Sequence, residues 1–402
     1  MTGSTDPLVP PALAQRLIAL RHALHRHPEL AFRETRTAAR LTDALPPTAH
    51  PPRRVAETGV VARIAGRDPA APVVAIRGDV DALPIQEDTG APFASETPGV
   101  MHACGHDVHA AWAVGAAHLL AAAPARGDVL IVLQPAEEIG RGAAAVLASG
   151  ALDGVRAVFG AHVDLRFPVG RVVAEAGPLA AAADTFTVEL IGRGGHAARP
   201  HEAHDPIVAA AALITGLQTI VARRLAPGEP AALTVGVVHA GTASNVIPDR
   251  ARMEGTFRAV RPTTRETLER ELRRTAEGIA AAHGVDVHLS VTRGTPPLIN
   301  GDLATRWARD AVGRLLGPDA LATLPEPNLG GEDFAFYLER MAGCFLRIGA
   351  RAPGAPIVAA HTPRFLPDDA AVLVGAAVLA ETARTASDAL RAEEPQGAPR
   401  PA

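Results

Sequence analysis

GDVLIVLQPAEE, residues 127 to 138, carries five consecutive apolar residues into a glutamine, a proline and two adjacent glutamates. A short run of branched apolar residues bounded by Gly-Asp and Gln-Pro reads as a strand buried on both faces, the kind found in parallel sheets. The same form recurs on either side: VVARIAG (60–66) and PVVAIRGDVDAL (72–83) precede it, and VRAVFGAHV (155–163) follows. Alanine-rich helical stretches, AAWAVGAAHLLAAA (110–123) and AAAVLASGAL (143–152), separate these runs. Alternation of this kind predicts an α/β domain with a mixed, mostly parallel sheet and flanking helices. Ligands of such sheets gather beyond the carboxyl ends of the strands. The polar runs GDVD, QPAEE and GAHVD all fall there.

Around residue 179 the pattern changes. TFTVELIG (185–192) alternates as a half-buried strand, and residues 204–224 form a helix. Two strands, 233–240 and 249–260, a charged helix over 263–284 and a last strand, VDVHLSV (285–291), follow. The order β-α-β-β-α-β is the split ferredoxin-like arrangement. After residue 293 the chain is expected to return to the first domain, with CFLRIGA (344–350) as a strand and residues 368–390 as a closing helix. The expected organisation is therefore a catalytic domain of residues 1–178 and 294–402, with 179–293 inserted. EEPQGAPRPA (393–402) reads as a frayed tail.

Composition narrows the function. A net charge of −4 without a basic tract argues against nucleic acid, which needs clustered Lys and Arg. No run reaches 18 uninterrupted large apolar residues and the N-terminus lacks a secretory pattern, so no membrane span and a cytoplasmic location are expected. Only two cysteines, Cys104 and Cys344, are present, and a pair so far apart in a reducing compartment is a poor disulfide candidate. A small-molecule substrate fits these bounds.

MHACGHDVHA (101–110) places Cys104 and His106 one residue apart, with Asp107 and His109 opening the next helix. Glu137 and Glu138 follow the opening strand, where adjacent carboxylates repel unless a cation or a shared proton offsets them. A solvated loop is the rival reading of that pair. His162 follows a strand, and His361 in AAHTPRF (359–365) precedes the last helix. Cys104, His106, Glu138, His162 and His361 mix soft and hard donors, which suits Zn²⁺, Co²⁺ or Mn²⁺ better than Ca²⁺ or Mg²⁺. Five donors exceed what one open zinc site needs, and two ions about 3.5 to 4 Å apart would use them all. Glu137, beside a ligand without being one, is then placed to take a proton from water activated there.

RHALHRHPELAFRE (21–34), RGDVDALPIQE (77–87), MHACGHDVHAA (101–111), QPAEE (134–138), GGHAARPH (194–201), NVIPDRARMEGTFRA (245–259), GGEDFAFY (330–337) and HTPRF (361–365) resemble, in this order, the motifs of the M20 metallopeptidase superfamily. The likeness is greatest to its N-acyl-amino-acid amidohydrolase branch, which includes hippurate and auxin-conjugate hydrolases. The resemblance implies a two-metal catalytic domain with an inserted lid that also makes a homodimer. It implies that Cys104, His106, Glu138, His162 and His361 hold the ions, with Cys104 bridging, and that Glu137 is the general base and acid. Asp79 and Asp81 fall where many relatives have His-x-Asp. Asp79 is left unassigned, and Asp81 is expected to orient the ligands, as is Asp107. His196 is implied to reach into the partner subunit's site and stabilise the oxyanion. Asn245 and Arg258 match positions associated with substrate contact, Arg258 as a clamp for a carboxylate. Val108, Gly78 and the LPDD after HTPRF depart from the commonest pattern without removing a proposed ligand. A dipeptidase or carboxypeptidase on the same scaffold, and a metal-binding or amino-acid-binding protein without catalysis, are the competing readings.

Overall fold

The computed structural model describes residues 7–390; the tail at 393–402 lies outside them. The chain forms two compact units, one built from the segment up to Gly177, Asn300–Leu324 and the segment from Phe336 onward, the other from Pro178–Ile299 and Pro325–Ala335. The first unit opens with α1 (Pro11–Arg26) and α2 (Thr35–Ala44), then β1 (Arg53–Val55), β2 (Gly59–Ile64), β3 (Val73–Asp79), α3 (His106–Ala122), β4 (Val129–Gln134), α4 (Gly142–Ala148), β5 (Val155–Pro168) and β6 (Val172–Val173). Every residue of β4 is buried, as the unbroken apolar run requires of a central strand.

The second unit contains β7 (Gly177–Ala180), β8 (Ala182–Ile191), β9 (Gly195–His196), α5 (Pro206–Arg224), β10 (Ala231–Ala240), β11 (Val246–Ile247), β12 (Arg250–Ala259), α6 (Pro262–His283), β13 (Asp286–Thr292) and β14 (Leu298–Asn300). Its main sheet has the order β10-β12-β8-β13, antiparallel throughout. β8 alternates buried and partly exposed residues, and its buried Phe186, Val188 and Leu190 share a core with Leu213 and Leu217 of α5 and Leu268 and Leu272 of α6. Residues 294–299 and 325–335, expected in the first domain, group with this unit. Backbone hydrogen bonds explain the second segment: Asn328 donates to Leu179, and Ala181 donates to Asn328.

The first unit resumes with α7 (Asp302–Leu316), β15 (Leu321–Ala322), α8 (Ala335–Leu338), β16 (Ala342–Arg351) and α9 (Ala370–Ala389). Its sheet runs β1-β2-β4-β3-β5-β16-β6-β15. The four strands β4, β3, β5 and β16 are mutually parallel, so their carboxyl ends share one edge. The abundance of alanine and glycine lets helices approach closely: a Cβ on Gly375 of α9 would lie 2.2 Å from the ring of Trp112 on α3. Cys344 is wholly buried in this core, and both cysteines are free. By length and composition α5 and α9 could each cross a bilayer, but α9 is mostly buried within its own unit.

Candidate metal centre

Gly105 decides the local geometry. It caps α3 with φ 91°, a left-handed conformation that favours glycine, and a Cβ there would lie 2.5 Å from Val163 Cγ2. This turn sets Cys104 just before the helix and His106 at its first residue. His162 lies within β5 rather than after a strand, because β16 continues to pair beyond it through Asp164. Two non-glycine residues with left-handed backbone flank the cluster: Ala136 (φ 56°), directly before Glu137, and His361 (φ 64°). Such strain costs about 1 kcal/mol or more and persists where surrounding contacts hold it. Glu34 holds the first, accepting from Ala136 N at 3.0 Å, and the Ala103 carbonyl holds the second, accepting from His361 N at 2.8 Å.

The predicted donors converge. Cys104, His106 and His162 offer ligand atoms that all lie within 4.8 Å of one another, and so do Cys104, Glu138 and His361. Cys104 belongs to both sets. Its Sγ is 3.2 Å from His162 Nε2, and His361 Nε2 is 3.3 Å from Glu138 Oε2. His106 Nε2 lies 3.8 Å from Glu138 Oε1 and 3.9 Å from Glu137 Oε2.

The hydrogen bonds fix which imidazole nitrogen faces the cluster. His106 Nδ1 is 2.9 Å from the Asp81 carbonyl and 3.2 Å from Asp81 Oδ1; a carbonyl only accepts, so Nδ1 carries the proton. His162 Nδ1 likewise donates to the Val163 carbonyl at 2.7 Å. Both Nε2 atoms are thereby turned inward as electron-pair donors. Asp81 also accepts from the Glu138 backbone N–H at 3.0 Å.

The donors fit bound cations. His106 Nε2 and Glu138 Oε1 are buried without hydrogen-bond partners, a costly state that a metal ion relieves. Burial, with Glu138 beside it, pushes the Cys104 thiol far up. Burial opposes a charge on His106, yet Asp79, Asp81 and Cys104 outweigh it and raise its pKa well above the usual value. The negative potential that favours a proton on His106 would likewise favour a divalent cation among these donors. Burial, then Arg347 and His109, holds His162 neutral. The hydrogen bond to Glu138 raises His361.

Several supporting residues carry no decisive signal in the sequence. His109 accepts from Val163 N–H through Nε2 at 3.0 Å, so its Nδ1 carries the proton donated to Asp79 Oδ1 at 2.6 Å. Asp79 also pairs with Arg77, and it lies 3.7 Å from His106 Nε2. Asp107 accepts from Arg21 Nε at 3.1 Å and His25 Nδ1 at 2.9 Å, which fastens α3 to α1. His25 in turn reaches Glu87 at 3.2 Å, and Arg21 reaches Asp369. The polar residues of RHALHRHPE and GHDVHA are the only signal for these roles, and their partners lie 30 residues away for His109 and Asp79, and 62 or more for His25 with Glu87 and Asp107 and for Arg21 with Asp107 and Asp369. His102 is buried with neither ring nitrogen partnered, and burial lowers it to about 4.

The remaining predicted residues belong to the second unit. His196 is exposed on β9, pairs in register with Val246, and accepts from Ala198 N–H through Nδ1 at 3.0 Å. Asn245 is exposed, and its carbonyl accepts from Ala197 N–H at 3.1 Å, so the β9–β11 ladder brings His196 and Asn245 together. Arg258 is half-buried on β12, opposite Ala232 and Ala183.

Residues 75–385 match the profile of Peptidase family M20/M25/M40. The chain is 42% identical over 376 residues to the N-acetylcysteine deacetylase of Bacillus subtilis (strain 168), covering 92% of this chain and 97% of that protein. It is 41% identical over 290 residues to the N-acyl-L-amino acid amidohydrolase of Geobacillus stearothermophilus, covering 71% and 78%. The crystal structure of the Bacillus subtilis YxeP protein, described as a dinuclear metal binding peptidase from the M20 family, superposes with a TM-score of 0.84 at 39% identity over 95% of this chain and 100% of that one. With these likenesses on the same parallel-stranded fold, the chain belongs to peptidase family M20/M25/M40.

Proposed function

We propose that this protein is a dinuclear metal-dependent amidohydrolase that cleaves N-acyl amino acids to a carboxylate and a free amino acid. The observation that carries the reading is the pair of donor sets sharing Cys104, with Glu137 beside them. Cys104, His106 and His162 would hold one ion, and Glu138 and His361, with Cys104 bridging, the other. Two divalent ions, Mn²⁺, Zn²⁺ or Co²⁺, would polarise the amide carbonyl and make water nucleophilic near neutral pH.

Glu137 accepts a proton from the attacking water as the carbon–oxygen bond forms, then delivers it to the amide nitrogen as the carbon–nitrogen bond breaks. Asp81 orients His106 and Glu138 through the bonds described above. His196 donates to the developing oxyanion from the second unit of a partner subunit, and Asn245 and Arg258 contact the substrate, Arg258 through its carboxylate. That role makes the second unit a lid and the protein a homodimer. The outer half of β10 supports the dimer: Val237 and Val238 are exposed on an edge strand, and Ile207 and Val208 are exposed on α5. A cytoplasmic location accords with two free cysteines and a small-molecule substrate.

Glu137→Gln tests the reading. With N-acetyl and N-benzoyl amino acids, turnover falls about 10³-fold or more while metal content stays at two ions per chain. Undiminished turnover would overturn the assignment of the base. Release of amino acids from dipeptides in preference to acyl amino acids would favour the peptidase reading.

A further inference from the structure

We propose that Arg347 binds a second carboxylate on the substrate, so that the preferred N-acyl amino acids are dianions. The inference rests on the amidohydrolase reading and names its substrate class.

Among the described residues, three arginines are buried: Arg21, Arg77 and Arg347, the last at 7% exposure. Arg21 pairs with Asp107 and Asp369, and Arg77 with Asp79. Arg347 alone has no ion pair or hydrogen bond among the described residues, and its Nε is buried without an acceptor. A guanidinium held out of water without a counter-charge is costly, so the arrangement is one that an incoming anion completes.

The sheet aims this side chain at the metal centre. Arg347 of β16 and His162 of β5 are register partners on adjacent parallel strands, so both leave the same face of the sheet near its carboxyl edge. Leu346 and Ile348, at the alternate positions, enter the hydrophobic core. His162 places Nε2 3.2 Å from Cys104 Sγ on the Arg347 face. Two residues before Arg347, the Phe345 ring lies with its centroid 5.9 Å from the guanidinium carbon and gives the charge an apolar side. A planar fork beside an aromatic ring matches a carboxylate bidentately. The second carboxylate can sit on the acyl group, as in N-succinyl amino acids, or on the amino-acid side chain, as in N-acetyl-L-glutamate.

The test compares metal-loaded wild type, Arg347→Gln and Arg347→Lys on N-acetyl-L-alanine, N-succinyl-L-alanine and N-acetyl-L-glutamate. In the wild type, kcat/KM for one dianion exceeds that for N-acetyl-L-alanine by about 30-fold or more, chiefly through KM. Arg347→Gln brings that ratio close to one, and Arg347→Lys recovers part of it. The favoured substrate tells which side carries the carboxylate. A wild type that hydrolyses N-acetyl-L-alanine without preferring either dianion, or a preference retained in Arg347→Gln, would overturn the proposal. Should no substrate turn over with Mn²⁺, Co²⁺ or Zn²⁺, the amidohydrolase reading fails, and calorimetric titration with succinate decides the site alone: binding to wild type and not to Arg347→Gln supports it, and equal or absent binding rejects it.

Discussion

The candidate metal centre and the predicted contact residues of the second unit are held in opposite ways. Around Cys104, buried side chains brace one another: Asp81 under His106, Asp79 beside His109, Arg21 and His25 on Asp107. His196 and Asn245 instead stand exposed on a ladder only two residues long on each side. Rigid donors surrounded by satisfied hydrogen bonds can impose geometry on an ion by themselves. Exposed groups on a short ladder acquire a defined position when something else covers them. The first region is thus held by buried contacts within its own unit, and the second by few.

The sharpest way to break this contrast is Cys104→Ala. Because both donor sets share this thiol, bound metal falls below two ions per chain and kcat falls about 10³-fold. Elemental analysis showing two ions, with turnover intact, would show that the centre does not depend on a shared ligand. His196→Ala probes the other side. Its expected loss is about 10²- to 10³-fold in kcat with metal content and melting temperature unchanged. Mixing and refolding this variant with Glu137→Gln restores activity where His196 acts across subunits, and leaves the mixture inactive where it acts within its own chain.

The smallest effect is on stability. Burial opposes a charge on His25, but Asp107 and Glu87 outweigh it and lift its pKa from 6.5 to about 9. A folded-state pKa above the unfolded one gives stability that is complete below about pH 6.5 and is lost as pH rises through about 9. The loss amounts to about 3 kcal/mol, or roughly 5 to 10 °C in melting temperature for a unit of this size. His25→Gln flattens that decline. A wild-type melting temperature that holds steady from pH 6.5 to 9.5 would remove the bracing role given to His25 and Asp107.

The sheet was legible because its central strands are unbroken apolar runs, and the donors because thiol, imidazole and paired carboxylate stand out against alanine. The mostly parallel α/β architecture follows from those runs, and the structural likeness to family members agrees with it. Helix α2 was harder to read, since TRTAARLTDA mixes arginine, alanine and threonine with a single large apolar residue, Leu41. What composition could not reveal is pairing at a distance. Nothing in CFLRIGA distinguishes Arg347 from an outward-facing strand arginine, and only the register beside His162 makes it unusual. His109 was similarly mute until Asp79 and the Val163 amide were seen on its two nitrogens.

The bond from His361 N to the Ala103 carbonyl joins chain positions that a ribosome makes far apart in time. Cys104 and His361 are 257 residues apart, and at about 5 to 20 residues per second the second emerges roughly 13 to 50 s after the first. During that interval the nascent chain carries Cys104, His106, His162 and the paired glutamates without the last donor of the second set. The donor set of Cys104, Glu138 and His361 is thus assembled only after the chain has been made through residue 361.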